Sequence, residues 1–227
     1  MTSDEQKRAA GEAAAALVEP GMIVGLGTGS TAAWFIRALA VRGLDIHAVA
    51  TSEATADLAR LLKFHLIDLN EARQVDLTID GADEIGPGLS LIKGGGGALV
   101  REKLVWEASR RCVAIADAAK RVAMLGRFPL PIEVVPFGHA TTARRIEQGL
   151  ADCGVAAAPR LRVKDGEAVR SDNGNLIYDA ACGAIMDPPA VEASLKSITG
   201  VVDHGLFLGL ATEALIGTDE GVIALHP

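Results

Sequence analysis

Aromatic residues are scarce in this chain: one Tyr, two Trp and five Phe make up 4% of 227 residues. A surface that stacks nucleic-acid bases needs more of them. Positive charge is also short, with 22 Lys and Arg against 29 Asp and Glu, a formal net charge of −7. That balance excludes a nucleic-acid partner held by a general basic surface, so any anion has to be caught in a local pocket. Cysteine is limited to Cys112, Cys153 and Cys182, far apart and without a C-x-x-C pair. This excludes a disulfide framework and reads as reduced thiols of a cytoplasmic protein. No apolar run reaches the length of about 18 residues that a membrane span needs. Lys7-Arg8 ahead of Ala13–Val18 mimics a leader, but Asp4, Glu5, Glu12 and Glu19-Pro20-Gly21 break the pattern, and an amphipathic first helix is expected instead. The five histidines, His47, His65, His139, His204 and His226, have no H-x-x-x-H or E-x-x-H partner, so no metal site is expected from them. There is no G-x-S-x-G and no readable Ser-His-Asp arrangement.

What the chain does have is a strand–turn–helix rhythm. Residues 4–18 predict a helix closed by Pro20-Gly21. Met22–Gly27, Leu44–Ala50, Phe64–Leu69, Val75–Ile79 and Cys112–Ala116 predict strands, with helices over Ala32–Val41, from Thr51-Ser52 to Leu62, and over Ala98–Ala108. Strands alternating with helices imply a mostly parallel sheet covered on both faces. The pattern changes at Phe128-Pro129-Leu130-Pro131. Strands at Ile132–Phe137, Arg160–Val163, Asn175–Asp179 and Val201–Leu208, with helices at Thr141–Leu150 and Pro188–Ser197, spell βαββαβ. That order is the ferredoxin-like arrangement, read here as an inserted α+β lid over residues 128–204, with 1–127 and 205–227 forming the first sheet domain.

Polar residues gather after the strands, where open α/β sheets bind ligands. Gly25-Leu26-Gly27-Thr28-Gly29-Ser30-Thr31 is neither a dinucleotide fingerprint nor a P-loop, because Ser30 and Thr31 stand where those motifs need glycine or lysine. The turn, its hydroxyls and the following helix N-terminus suit a phosphate monoester, and Ser or Thr there also serves as a plain helix cap. Asp80-Gly81-Ala82-Asp83-Glu84 puts carboxylates at a strand end. They can accept hydrogen bonds from sugar hydroxyls, move protons, hold a divalent cation beside a phosphate, or sit solvated in a turn. Lys93-Gly94-Gly95-Gly96-Gly97 opens a helix that carries Arg101-Glu102-Lys103. Glycine lets backbone N–H groups approach a ligand closely, and the helix N-terminus favours an anion. Glu102 is the candidate base, if burial raises its proton affinity, and Lys93 can stabilise a developing oxyanion. Arg101 and Lys103 point about 100° to either side of it, so one or both are expected to be solvated. Lys120 is a second candidate cation for phosphate or hydroxyl. The bland alternatives are a flexible glycine loop and surface charges.

With these pieces assembled in order, the chain resembles the ribose-5-phosphate isomerases of type A. The matching segments are Gly25–Thr31, Asp80–Glu84, Lys93–Ala98, Arg101–Lys103, Ala116-Asp117 through Lys120, Asp172–Asn175, Gly205–Phe207 and Ala214–Gly217. The resemblance implies a Rossmann-like domain with a ferredoxin-like second domain, usually in a homodimer or homotetramer. It implies a cofactor-free, metal-free interconversion of ribose 5-phosphate and ribulose 5-phosphate in the pentose phosphate pathway. Glu102 matches the family's general base, working through an enediolate. Asp80 and Asp83 match groups for ring opening and hydroxyl contacts, and Lys93 a group for the oxygen charge. Thr28, Gly29, Ser30, Thr31, Gly81, Ala82, Gly94, Gly95, Gly96 and Lys120 match substrate-binding positions. Two segments, Ala50–Thr55 and Phe137–Ala140, depart from the forms common in that family. The rival readings are a nicotinamide-dependent dehydrogenase, with Glu53 on a ribose, and a non-catalytic sugar-phosphate sensor; a transferase acting on coenzyme A esters shares the fold but not the motif set.

Overall fold

The computed structural model describes all 227 residues. Its helices are α1 (Ser3–Ala15), α2 (Ser30–Val41), α3 (Glu53–Leu61), α4 (Leu99–Glu107), α5 (His139–Asp152) and α6 (Pro188–Lys196). Its strands are β1 (Ile23–Leu26), β2 (His47–Ala50), β3 (His65–Leu66), β4 (Val75–Gly81), β5 (Glu84–Ile85), β6 (Leu91–Ile92), β7 (Ser109–Asp117) and β8 (Leu130–Val134). They continue with β9 (Pro159–Leu161), β10 (Val163–Lys164), β11 (Glu167–Ala168), β12 (Leu176–Ala180), β13 (Val201–His204), β14 (Leu206–Phe207), β15 (Glu213–Thr218) and β16 (Gly221–Leu225). The chain divides into two compact units: Met1–Ala82, Arg101–Arg121 and Gly209–Pro227 form the first, and Asp83–Val100 with Val122–Leu208 form the second.

The first unit is built on a seven-stranded sheet of order β16-β15-β7-β4-β1-β2-β3. All its pairings are parallel except that of β15 with β16. Parallel strands covered on both faces read as continuous apolar runs rather than alternation, and β7 is buried from Cys112 through Asp117. Val24, Leu26, Leu77, Ile79, Val113 and Ile115 form the centre of its core, each such side chain contributing about 1.5–3 kcal/mol on burial. The first helix starts on a capping box, in which the Thr2 side chain accepts from the Glu5 N–H and the Glu5 side chain from the Thr2 N–H. From β1 the chain winds outward through β2 and β3, then returns to place β4 on the other side of β1. The strand order therefore reverses between β1 and β4, the position where such sheets open a crevice at their carboxyl ends.

The second unit holds a four-stranded antiparallel sheet of order β13-β8-β12-β9. With α5 between β8 and β9 and α6 between β12 and β13, this is the expected βαββαβ arrangement. Ile132, Val134, Ile146, Leu150, Tyr178, Val191 and Leu195 pack its core. A second, three-stranded sheet β14-β6-β5 was not readable from the sequence, because strands of two residues have no periodicity to detect. The single strand expected over Val201–Leu208 is in fact split between the two sheets at Gly205. Gly205 donates its N–H to Pro131 O at 2.7 Å and accepts from Lys93 N at 2.9 Å. Pairing with β14 is also why Asp83–Val100 groups with the second unit, whereas the sequence reading drew its boundaries at 127/128 and 204/205. The expected strand Phe64–Leu69 shortens to His65–Leu66.

Candidate active site

The residues singled out in the sequence fall in both units. In the first unit, Leu26 at the end of β1 is in register with Ile79 of β4, and Asp80 is in register with Ala114 of β7. The segments after these strands thus emerge along one edge of the sheet. Asp80 is fully buried, and its Oδ1 accepts the N–H of Thr28 at 2.9 Å and of Gly81 at 2.7 Å. A Cβ on Gly27 would overlap the Asp80 backbone and carboxyl, so only glycine allows β1 to pass so close. The Thr28 hydroxyl lies 2.8 Å from Thr51 Oγ1, 2.8 Å from Ser52 Oγ and 3.2 Å from Thr55 Oγ1. Thr51 and Thr55 give their own protons to Leu26 O and Gly27 O. Both the N–H and the hydroxyl of Thr28 are therefore committed to shaping the turn. Ser30 and Thr31 begin the 12-residue α2, which has no side-chain cap on its N-terminus. Its first N–H groups suit an anion.

Glu102 lies in the first turn of α4 and is only 4% exposed. Its neighbours correct the expectation of solvated charges. Lys103 is itself buried, at 5% exposure, and Arg101 pairs with Glu53 at 2.8 Å. That hydrogen bond from Arg101 holds the Glu53 carboxyl below its ordinary range. Glu53 is thus engaged by arginine at the surface. Lys120 ends a short turn, Ala118–Lys120, directly after β7. Asp117 Oδ1 caps that turn on Ala119 N at 3.1 Å, and Gln6 Oε1 accepts from Ala118 N at 3.1 Å.

In the second unit the small sheet carries two of the predicted residues at its ends, Asp83 just before β5 and Lys93 just after β6. Glu84 of β5 is in register with Ile92 of β6, and Asp83 N donates to Ile92 O at 2.8 Å. Asp83 and Lys93 thus flank this strand pair, and Lys93 N turns to Gly205 O. Lys93 is 2% exposed, and its Nζ lies 5.5 Å from the centre of the Phe207 ring, a favourable cation–π distance. The glycine loop then folds back, with Gly94 at φ +101° and Gly97 N bonded to Gly94 O at 3.0 Å. Gly95 N donates to Asp83 Oδ2 at 2.8 Å. Glu84, the third acid of its motif, is structural: its two oxygens accept the N–H groups of Gly126 and Phe128, each at 2.7 Å. Sequence reasoning missed Thr51, Ser52 and Thr55 as supports of the β1 turn, and Arg162, which reaches the glycine loop. Only the hydroxyl-rich composition of 51–55 hinted at the former.

A family model described as ribose 5-phosphate isomerase A (phosphoriboisomerase A) matches residues 47–221. A protein of Caulobacter vibrioides named ribose-5-phosphate isomerase A is 66% identical over 228 residues, covering 100% of both chains. Among solved structures, ribose 5-phosphate isomerase A of Neisseria gonorrhoeae aligns with a TM-score of 0.92 and 37% identity, over 100% of this chain and 98% of that one. A D-ribose-5-phosphate isomerase solved in complex with phospho-erythronic acid aligns with a TM-score of 0.92 and 36% identity, over 100% of both chains.

Proposed function

The chain belongs to the ribose 5-phosphate isomerase A family and is an aldose–ketose isomerase of ribose 5-phosphate and ribulose 5-phosphate; from that premise we propose that Glu102 is the base that carries the proton between C2 and C1. The observation behind this is the burial of the Glu102 carboxylate at 4% exposure, one turn past the glycine loop. Shielding from water is the condition under which a carboxylate becomes an effective base toward a carbon acid.

The steps balance without an external oxidant. In the open-chain aldose, Glu102 takes the proton from C2, the electron pair forms the C1–C2 double bond, and charge moves to O1. Lys93 supports that oxyanion electrostatically. Return of the proton from Glu102 to C1, with transfer of the O2 proton to O1, leaves the ketose. Asp80 and Asp83 handle ring opening and the sugar hydroxyls, Asp80 with its Oδ1 already committed to the β1 turn. Thr28, Gly29, Ser30 and Thr31 form the phosphate turn, with Lys120 as a second cation. Gly81, Ala82, Gly94, Gly95 and Gly96 offer backbone contacts to the substrate. The solved relative that holds phospho-erythronic acid supports the enediolate route, because the carboxylate of an aldonic acid copies the paired oxygens and negative charge of that intermediate.

The same family membership supports a homodimer or homotetramer acting in the pentose phosphate pathway. A cytoplasmic location fits Cys112, Cys153 and Cys182 being thiols rather than disulfides. Light scattering on a sizing column tests the assembly. The base assignment is tested by following ribulose 5-phosphate formation in EDTA. Wild-type activity is expected to resist chelation, and Glu102→Gln to lose roughly 10²–10⁴-fold in kcat while the fold persists. Near-normal turnover in that variant would refute the role of Glu102.

A further inference from the structure

The segment Gly94–Gly97 is four glycines in succession, so it has no side chains of its own to hold it in one conformation. One arginine from another part of the second unit does hold it. Arg162 follows β9, and its backbone is fixed on both sides: its N–H donates to Ile177 O at 2.8 Å, and its carbonyl accepts from Val169 N at 2.9 Å. Its guanidinium is oriented by Asp179 of β12, with Nε on Oδ2 at 2.8 Å and Nη2 on Oδ1. This two-pronged pairing fixes the plane of the fork. The remaining Nη1 then donates to two successive carbonyls of the glycine loop, Gly94 O at 3.0 Å and Gly95 O at 3.2 Å.

Those two carbonyls belong to the peptide groups whose N–H atoms are carried by Gly95 and Gly96. A trans peptide is planar, with its N–H directed opposite to its C=O. The guanidinium therefore sits on the carbonyl side, and the N–H side of the first peptide meets Asp83 Oδ2 at 2.8 Å. A continuous line runs from Asp179 through Arg162 and the Gly94–Gly95 peptide to the Asp83 carboxylate. A cation on the carbonyl side polarises the peptide and strengthens the N–H bond on the other side. It also turns the Gly96 N–H away from Arg162.

We propose that Arg162, oriented by Asp179, is a positioning residue of the isomerase: it fixes the Gly94–Gly96 backbone so that the Asp83 carboxylate and the Gly96 N–H hold the geometry the reaction needs. Arg162 does not touch the reacting atoms in this account. The inference rests on the reading that Asp83 serves the substrate.

The test combines kinetics with chemical rescue. Arg162→Ala leaves a gap beside Asp179 that a guanidinium ion fits. The variant is expected to keep a cooperative melt within a few degrees of wild type, to lose about 30–100-fold in kcat, and to change KM by less than about threefold; misplacement on the order of 1 Å has effects of that size. Guanidinium chloride at tens of millimolar is expected to restore kcat at least about tenfold, while sodium chloride at the same ionic strength does not, because a planar fork and not bulk charge is required. Rescue is expected to vanish in Arg162→Ala/Asp179→Asn. A role limited to holding the fold together predicts a lowered melt and no rescue, and that result overturns the proposal, as does a kcat within twofold of wild type. Should Arg162→Ala fail to fold, Arg162→Lys supplies the decision: it keeps the charge but cannot serve Asp179 and both carbonyls, so wild-type kcat there also overturns it. Asp83→Asn, measured alongside, separates the two layers. Normal turnover in Asp83→Asn removes the reading of Asp83, whereas loss there together with normal turnover in Arg162→Ala removes only the positioning role.

Discussion

The turn Gly27–Thr31 and the loop Lys93–Gly97 both lead from a strand into a helix, and their glycines answer different needs. In the first, glycine permits crowding: Gly27 has no room for a Cβ because Asp80 fills that space. The turn around it is held by neutral hydroxyls from Thr51, Ser52 and Thr55 and by one carboxylate oxygen of Asp80. What it offers outward is an uncapped helix N-terminus. In the second, glycine permits reach and curvature, and charged groups hold the loop from outside: Arg162 on the carbonyls and Asp83 on an N–H. Lys93 at its start is buried against Phe207. Glycine density therefore marks a place where backbone meets ligand or neighbour, but the side chains that arrive from elsewhere decide what the segment does.

Substitutions at the two glycines should break this comparison or sharpen it. Gly27→Ala forces a Cβ into backbone, which cannot step aside, and is expected to cost about 3 kcal/mol of stability, read in urea unfolding. Gly95→Ala meets only the far end of the Asp83 carboxylate, 2.7 Å from Oδ1. It is expected to leave stability within about 1 kcal/mol and to lower kcat/KM roughly 10–100-fold by displacing that carboxylate. Equal stability losses at both positions would show that the second loop is as crowded as the first. Thr28→Val removes the hydroxyl shared with Thr51, Ser52 and Thr55 and should cost about 1–2 kcal/mol, with a larger effect on melting than on kcat. Phe207→Leu, which removes the ring beside Lys93 Nζ, should reduce kcat less than about tenfold, in keeping with a cation–π contact of about 1 kcal/mol. An unchanged kcat there would mean that Phe207 only fills space.

Much of this molecule is visible in the chain before it folds. The apolar run at Cys112–Ala116 announces a buried parallel strand, and the order of elements from Ile132 to Val201 announces the antiparallel second sheet, because burial on one face or two leaves a pattern in sequence. The Gly27–Thr31 turn, the acidic strand end, Lys93 and Glu102 are equally visible, since each stands beside a glycine run or a strand end. The placement of Asp83 and Lys93 at the ends of one strand pair is not, because it depends on β5 and β6, strands of two residues each. The burial of Lys103 is not, because helical spacing gives direction but not what lies there. The structural use of Glu84, and the reach of Arg162 to carbonyls 68 and 67 residues away, have no local signature, since backbone acceptors are the same in every residue. Sequence by itself determined the alternation, the sheet types and the chemical inventory, all of which follow from local propensity and hydrophobic period. Only tertiary structure decided which backbone groups each carboxylate holds, because that depends on which donors long-range packing brings within hydrogen-bond distance.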